Sequence, residues 1–253
     1  MKHSTPIHRL LTTLALCALP WAAAAQTLTV SAAASLTEAF REIGARFEAS
    51  RPGTTLRLNF ASSGVLIQQI LQGAPVDVFA SADQETMERG IAQKAIDADT
   101  RRNFAANTLV MVVPAQGGPA LTGLPDLATP PVRRIALGKV ATVPAGRYAK
   151  QVLDAAKLWG PLEPKFVFGD NVRQVLDYVA RGEVEAGFVY RTDAALMADR
   201  VRIALTASGH APITYPVAVV ADSRLKPLAR DFVEFLSGPQ AQAILARHGF
   251  ARP

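Results

Sequence analysis

Four segments place small, hydrogen-bond-donating residues where an apolar run gives way to a helical periodicity. They are Ala34-Ser35, Ala61-Ser62-Ser63-Gly64, Val143-Pro144-Ala145-Gly146 and Gly169-Asp170-Asn171-Val172. The first turn of a helix leaves backbone N–H groups unpaired and carries a partial positive charge. Four such ends facing one cleft would bind an anion without any basic side chain. Each segment also has a plainer reading: Ser35 and Ser63 serve as helix caps, and the Val172 side chain fits a core position while its N–H stays free for another role.

Other chemistry is poorly provided for. The sequence holds no G-x-S-x-G elbow, no G-x-x-x-x-G-K-[ST] loop and no G-x-G-x-x-G fingerprint. His210 falls in a probable-loop triplet, Ser208-Gly209-His210, and His248 lies near the apolar face of the last helix. Asp77, Asp83, Asp170 and Asp193 are scattered and read as strand ends, caps or loop residues. Nothing nominates a nucleophile with its base, so an exported hydrolase is the weaker reading. The chain is expected not to be an enzyme.

The elements that must position the four segments alternate. Short β-rich runs at Leu28–Ser31, Thr55–Phe60 and Asp77–Ala80 are each followed by a helical pattern, the first with Leu36, Ala39, Phe40, Ile43 and Phe47 on one face. A long apolar strand, Asn107–Pro114, leads into a Gly/Pro-rich stretch at 116–131. The alternation then resumes with strands Arg134–Leu137, Phe166–Phe168 and Ala186–Tyr190. A second long apolar strand, Ile213–Ala221, precedes two C-terminal helices, with Gly249 as a C-cap. This predicts an α/β fold of two lobes, each a mainly parallel sheet with flanking helices, joined by a double crossover. Lobe 1 is discontinuous, 26–114 and 215–253, and lobe 2 spans 115–214. A single doubly wound sheet is the alternative on spacing alone.

With 253 residues, 49% hydrophobic and 19% charged, the composition excludes a disordered, collagenous or coiled-coil chain. The formal charge of +6 is spread without a basic run, which argues against a nucleic-acid partner. Lys2, Arg9, the apolar stretch Leu10–Leu19 and Ala22-Ala23-Ala24-Ala25 read as a cleavable secretory signal over 1–25, with a mature N-terminus at Gln26 and a periplasmic destination. A lipidated Cys17 is the alternative, disfavoured by the bulky Leu16 before it. The single cysteine leaves with the signal, so neither a disulfide framework nor a Cys/His metal site is expected.

Taken in order, Ala33-Ala34-Ser35-Leu36, Phe60-Ala61-Ser62-Ser63, the run from Gly73 to Asp83 (GAPVDVFASAD), Val143-Pro144-Ala145-Gly146-Arg147-Tyr148-Ala149-Lys150, Gly187-Phe188-Val189-Tyr190 and Tyr215-Pro216-Val217-Ala218-Val219-Val220 resemble the periplasmic molybdate-binding proteins. These are the solute receptors of ATP-binding-cassette importers. The resemblance runs through the closing Gly238-Pro239-Gln240-Ala241 helix. It implies a hinged, type II periplasmic-binding-protein fold that closes on molybdate or tungstate. The receptor would be a monomer without a cofactor, handing its ion to membrane permease subunits. By the same resemblance, Ser35 and Ser63 supply hydroxyl and backbone donors, Ala145 and Val172 supply backbone N–H groups, and Tyr190 supplies its phenol. The metal itself would touch no protein atom. Asp170 departs from the longer acid usual there, which is not a ligand position. The residues alone favour no anion by size, so sulfate or another small anion stays open beside molybdate.

Overall fold

The computed structural model describes residues 26–253; the signal segment and Cys17 lie outside the described residues. In chain order the elements are β1 (Gln26–Ala33), α1 (Thr37–Ser50), β2 (Thr54–Ala61), α2 (Ser63–Leu71), β3 (Val78–Ala80), α3 (Gln84–Ala92), β4 (Arg102–Ala106), β5 (Leu109–Pro114), β6 (Ile135–Gly138) and α4 (Pro144–Ala155). There follow α5 (Trp159–Leu162), β7 (Phe166–Gly169), α6 (Val172–Ala180), β8 (Ala186–Tyr190), α7 (Arg191–Leu196), β9 (Val201–Thr206), β10 (Thr214–Val219), α8 (Lys226–Ser237) and α9 (Pro239–Arg247). They build two five-stranded sheets, β2-β1-β3-β10-β4 and β7-β6-β8-β5-β9, flanked by helices.

Each sheet is mixed. β1 runs parallel to β2 and β3, and β6 runs parallel to β7 and β8, as strand–helix–strand crossovers require. β10 is antiparallel to β3 and β4, and β5 is antiparallel to β8 and β9. These two strands arrive from the other sheet without an intervening helix, so they insert against the parallel grain.

The crossings place one strand in the other sheet from that expected in the sequence analysis and move the start of a second by one residue. Leu109–Pro114, grouped there with lobe 1, pairs with β8 and β9 in the second sheet, so the first crossing is the dipeptide Asn107-Thr108. Thr214, grouped with lobe 2, already faces Ala106 in the first sheet. A run that is apolar on both faces reads the same in either sheet, and its pairing partners are remote in sequence. β4 and β9 carry exposed arginines among their apolar residues, Arg102 and Arg202, and so lacked a strand signal.

The C-terminal helices return to the first sheet. Phe232 of α8 packs edge-on against Phe47 of α1 at 5.1 Å between ring centroids, and α9 packs on α1. Gly249, at φ +83°, ends α9 in the left-handed conformation a glycine adopts freely. Both sheets point the carboxyl ends of their parallel strands toward each other's side, and α1, α2, α4 and α6 start there.

Candidate ligand-binding site

Ser35, Ser63, Ala145, Val172 and Tyr190 line one cavity between the two sheets, together with Ser62 and Ala82. All seven residues are buried, and with Ala33, Ala34, Val143 and Pro144 they line a nearly closed cavity of about 10 Å³. That is room for about one water molecule, so the cavity admits nothing larger than a compact ion and admits that only as its walls part.

The helix starts present single amides to it. Asn171 caps α6 by accepting from the N–H groups of Arg173 (2.9 Å) and Gln174 (3.1 Å), which leaves the Val172 N–H for another partner. At α4, Pro144 occupies the first turn and the N–H groups of Gly146 and Arg147 both bond to Val143 O, leaving that of Ala145. At α2, Gly64 N–H donates across to Thr142 O (2.9 Å) and Val65 N–H to Ser62 O (3.0 Å), leaving that of Ser63.

Two hydroxyls meet the backbone of Ala82 in opposite senses. Ser63 Oγ accepts from Ala82 N–H at 3.0 Å, so its own proton is free to point into the cavity. Tyr190, at the end of β8, reaches across to donate to Ala82 O at a long 3.4 Å. Burial pushes its phenol well above the ordinary tyrosine range, and the neighbouring Tyr215 phenol is raised by burial as well. Both therefore keep their protons near neutral pH.

Among the described residues, none that lines the cavity is charged. Arg147 binds Asp83 through Nε (2.9 Å) and Nη2 (2.5 Å), and Arg173 binds Glu38 and Asp193, each at 2.6 Å. Burial raises Asp193 to about 6 against the opposing pull of Arg173, and its carboxylate accepts the Tyr190 N–H. The four aspartates of the sequence analysis all have structural partners. Asp77 accepts from Thr29 N–H and the Ser223 hydroxyl, Asp83 caps α3, and Asp170 pairs with Lys139 on the surface. His210 bonds to the neighbouring carbonyl of Ala211, and His248 to Glu42.

This geometry is that of a compact, neutral, donor-lined chamber between two α/β halves. Residues 28–251 match the family described as bacterial extracellular solute-binding protein. The chain belongs to this family. Among its relatives, the molybdate-binding protein ModA of Escherichia coli is 38% identical over 88% of this chain and 88% of its own length. YvgL of Bacillus subtilis, named as a substrate-binding lipoprotein of an ABC transporter, is also 38% identical, over 88% of this chain and 86% of its own. The solved periplasmic molybdate-binding protein of Azotobacter vinelandii superposes with a TM-score of 0.77 at 26% identity, covering 89% of this chain and 99% of that one. Solute-binding proteins of this type are transport receptors.

Residue reasoning reached four of the five predicted positions through the helix-start pattern; Tyr190 came from the resemblance alone. It passed over Ala82, whose N–H and C=O both serve the site, and did not select Ser62 although it stands in the same motif. No local signal marks Ala82. For Ser62, the Ser-Ser doublet before a helix is the signal that was available.

Proposed function

We propose that this protein is a receptor for molybdate that delivers the oxyanion to the membrane permease of an ATP-binding-cassette importer. In this reading the ion sits in the chamber between the sheets. The hydroxyls of Ser35 and Ser63, the Tyr190 phenol and the N–H groups of Ser35, Ser63, Ala145 and Val172 bond to its oxygens. The observation that carries the reading is the convergence of Ser35, Ser63, Ala145, Val172 and Tyr190 on one small buried cavity, where the Ser63 hydroxyl and the Ser63, Ala145 and Val172 N–H groups keep unpaired hydrogens.

A wall of donors selects for charge state. Molybdate near neutral pH is a dianion that accepts from every direction. Hydrogen phosphate brings an O–H that would meet another donor, leaving a buried group unmatched at about 1–3 kcal/mol. Tungstate has the same shape and charge and is taken as a second ligand. The two halves act as lobes, 26–106 with 214–253 and 109–206, that open and close about the crossings. The protein works as a periplasmic monomer after removal of residues 1–25.

Calorimetric titration of the purified mature protein with molybdate, tungstate, sulfate and phosphate tests this. Tight 1:1 binding of molybdate and tungstate, with sulfate much weaker and phosphate measurable but weaker still, is expected. Preference for sulfate would overturn the assignment of the ligand, and no binding of any of the four would overturn the site.

A further inference from the structure

The polarity of the Ser35 hydroxyl is set from a distance. Its Oγ lies 3.1 Å from the Tyr215 hydroxyl, 180 residues away in sequence, and either could be the donor. The neighbours decide which. Asn107, in the first crossing between the sheets, accepts the Thr108 N–H with its Oδ1 (2.9 Å), which fixes the orientation of its amide. The amide nitrogen therefore faces Thr192 Oγ1 (2.9 Å) and the Tyr215 hydroxyl (3.2 Å), and a carboxamide nitrogen can only donate. Tyr215 thus accepts from Asn107. Tyr215 is completely buried, and Ser35 Oγ is the acceptor the structure offers its proton. If Ser35 donated instead, that buried phenol proton would have no acceptor, which is the costlier arrangement. The order is therefore Asn107 to Tyr215 to Ser35, and the Ser35 proton is left to point into the cavity.

We infer that Asn107 and Tyr215 are positioning residues that hold the Ser35 hydroxyl as a donor toward the bound oxyanion and so help exclude protonated anions. The inference rests on the anion-receptor reading above. It gives a crossing residue a direct line to the ligand: Asn107 joins β4 to β5 and also holds Thr192 at the start of α7, so the relay is anchored to the second half at its first member. Without the phenol proton, Ser35 Oγ regains a lone pair that can accept from a ligand O–H.

The test is a double-mutant cycle of Tyr215→Phe and Ser35→Ala, titrated with molybdate, sulfate and hydrogen phosphate. Tyr215→Phe is expected to weaken molybdate three- to thirtyfold while the ratio of molybdate to phosphate affinity falls. In the Ser35→Ala background the same substitution should change molybdate affinity less than twofold. A merely structural tyrosine would lower both anions together and act equally in both backgrounds; either result overturns the inference. Asn107→Asp is the second variant, read without reliance on the stability of Tyr215→Phe. Its carboxylate would take the Tyr215 proton and reverse the relay, and molybdate binding should fall at least tenfold further in the Ser35 background than in Ser35→Ala. Equal losses in the two backgrounds would count against the relay. If wild type prefers sulfate, the ligand assignment fails while the cycle still reads the relay with sulfate. If wild type binds none of the anions, both fail.

Discussion

Ser62 and Ser63 stand side by side at the start of α2 and have opposite hydrogen-bond states. Ser62 Oγ is buried without a partner among the described residues and makes no cap bond to the helix it precedes, whereas Ser63 Oγ holds the Ala82 N–H. Removing an unmatched buried hydroxyl relieves a cost, and removing a matched one strands its partner. Ser62→Ala is therefore expected to leave the ligand-free protein as stable as wild type or slightly more so. Ser63→Ala should lower stability by about 1–3 kcal/mol, because the Ala82 N–H loses its acceptor. Urea unfolding of the two variants checks this, and equal losses would mean the hydroxyl assignments are wrong. At this scale the sequence was legible where chemistry is local. Ser35, Ser63, Ala145 and Val172 follow from small residues at helix starts. Tyr215 and Asn107 do not, because their role is a contact across 180 and 108 residues that no spacing encodes.

Among the elements, the amphipathic helices were legible from their periodicity, and the strand edges within a few residues. The assignment of β10 to the first sheet was legible to within one residue, and that of β5 was not, since it is apolar throughout and its partners are set by topology. The close approach of two helix starts was equally hidden. Gly64, in the first turn of α2, packs so near the loop before α4 that an added Cβ would lie 2.6 Å from both Cα and O of Thr142. Those are backbone atoms, so no rotamer change relieves the overlap. Gly64→Ala should keep its secondary structure, because the glycine is helical and not in the left-handed region. It should push α2 away from the loop that leads into α4, break the Gly64 N–H to Thr142 O bond, and weaken molybdate binding by about tenfold or more, one lost charge-assisted geometry on each side of the cavity. Circular dichroism beside calorimetry separates the outcomes; wild-type affinity would show that the contact yields without disturbing the cage.

For the molecule as a whole, what matters is how two halves tied by two crossings are held together around a neutral chamber. The Arg147–Asp83 pair spans them. Arg147 sits on α4 against the second sheet and Asp83 at the start of α3 against the first, and both side chains are at least nine-tenths buried. Arg147 also donates to Thr86 Oγ1 (2.6 Å) and to the carbonyls of Val140 and Ala141 (3.2 and 3.3 Å), so nearly all its donors are matched. A buried pair of this kind gives little net stability, yet losing one partner costs about 3–5 kcal/mol because a charge stays buried alone. In the receptor reading the two halves open, and that would return Asp83 to water, an escape that a rigid core lacks. Arg147→Met should therefore penalise closure more than folding. Molybdate affinity should drop on the order of a hundredfold or more, while the unfolding midpoint without ligand moves little. Small-angle scattering at saturating molybdate should show a larger radius than wild type. Adding Asp83→Asn, which keeps an acceptor for the Thr86 N–H at the α3 cap, removes the stranded charge and should recover part of the affinity and the smaller radius. If the double variant binds no better than Arg147→Met alone, the loss came from the missing guanidinium contacts to Thr86 and the 140–141 loop rather than from the uncompensated carboxylate, and the pair would not be what couples closure to charge.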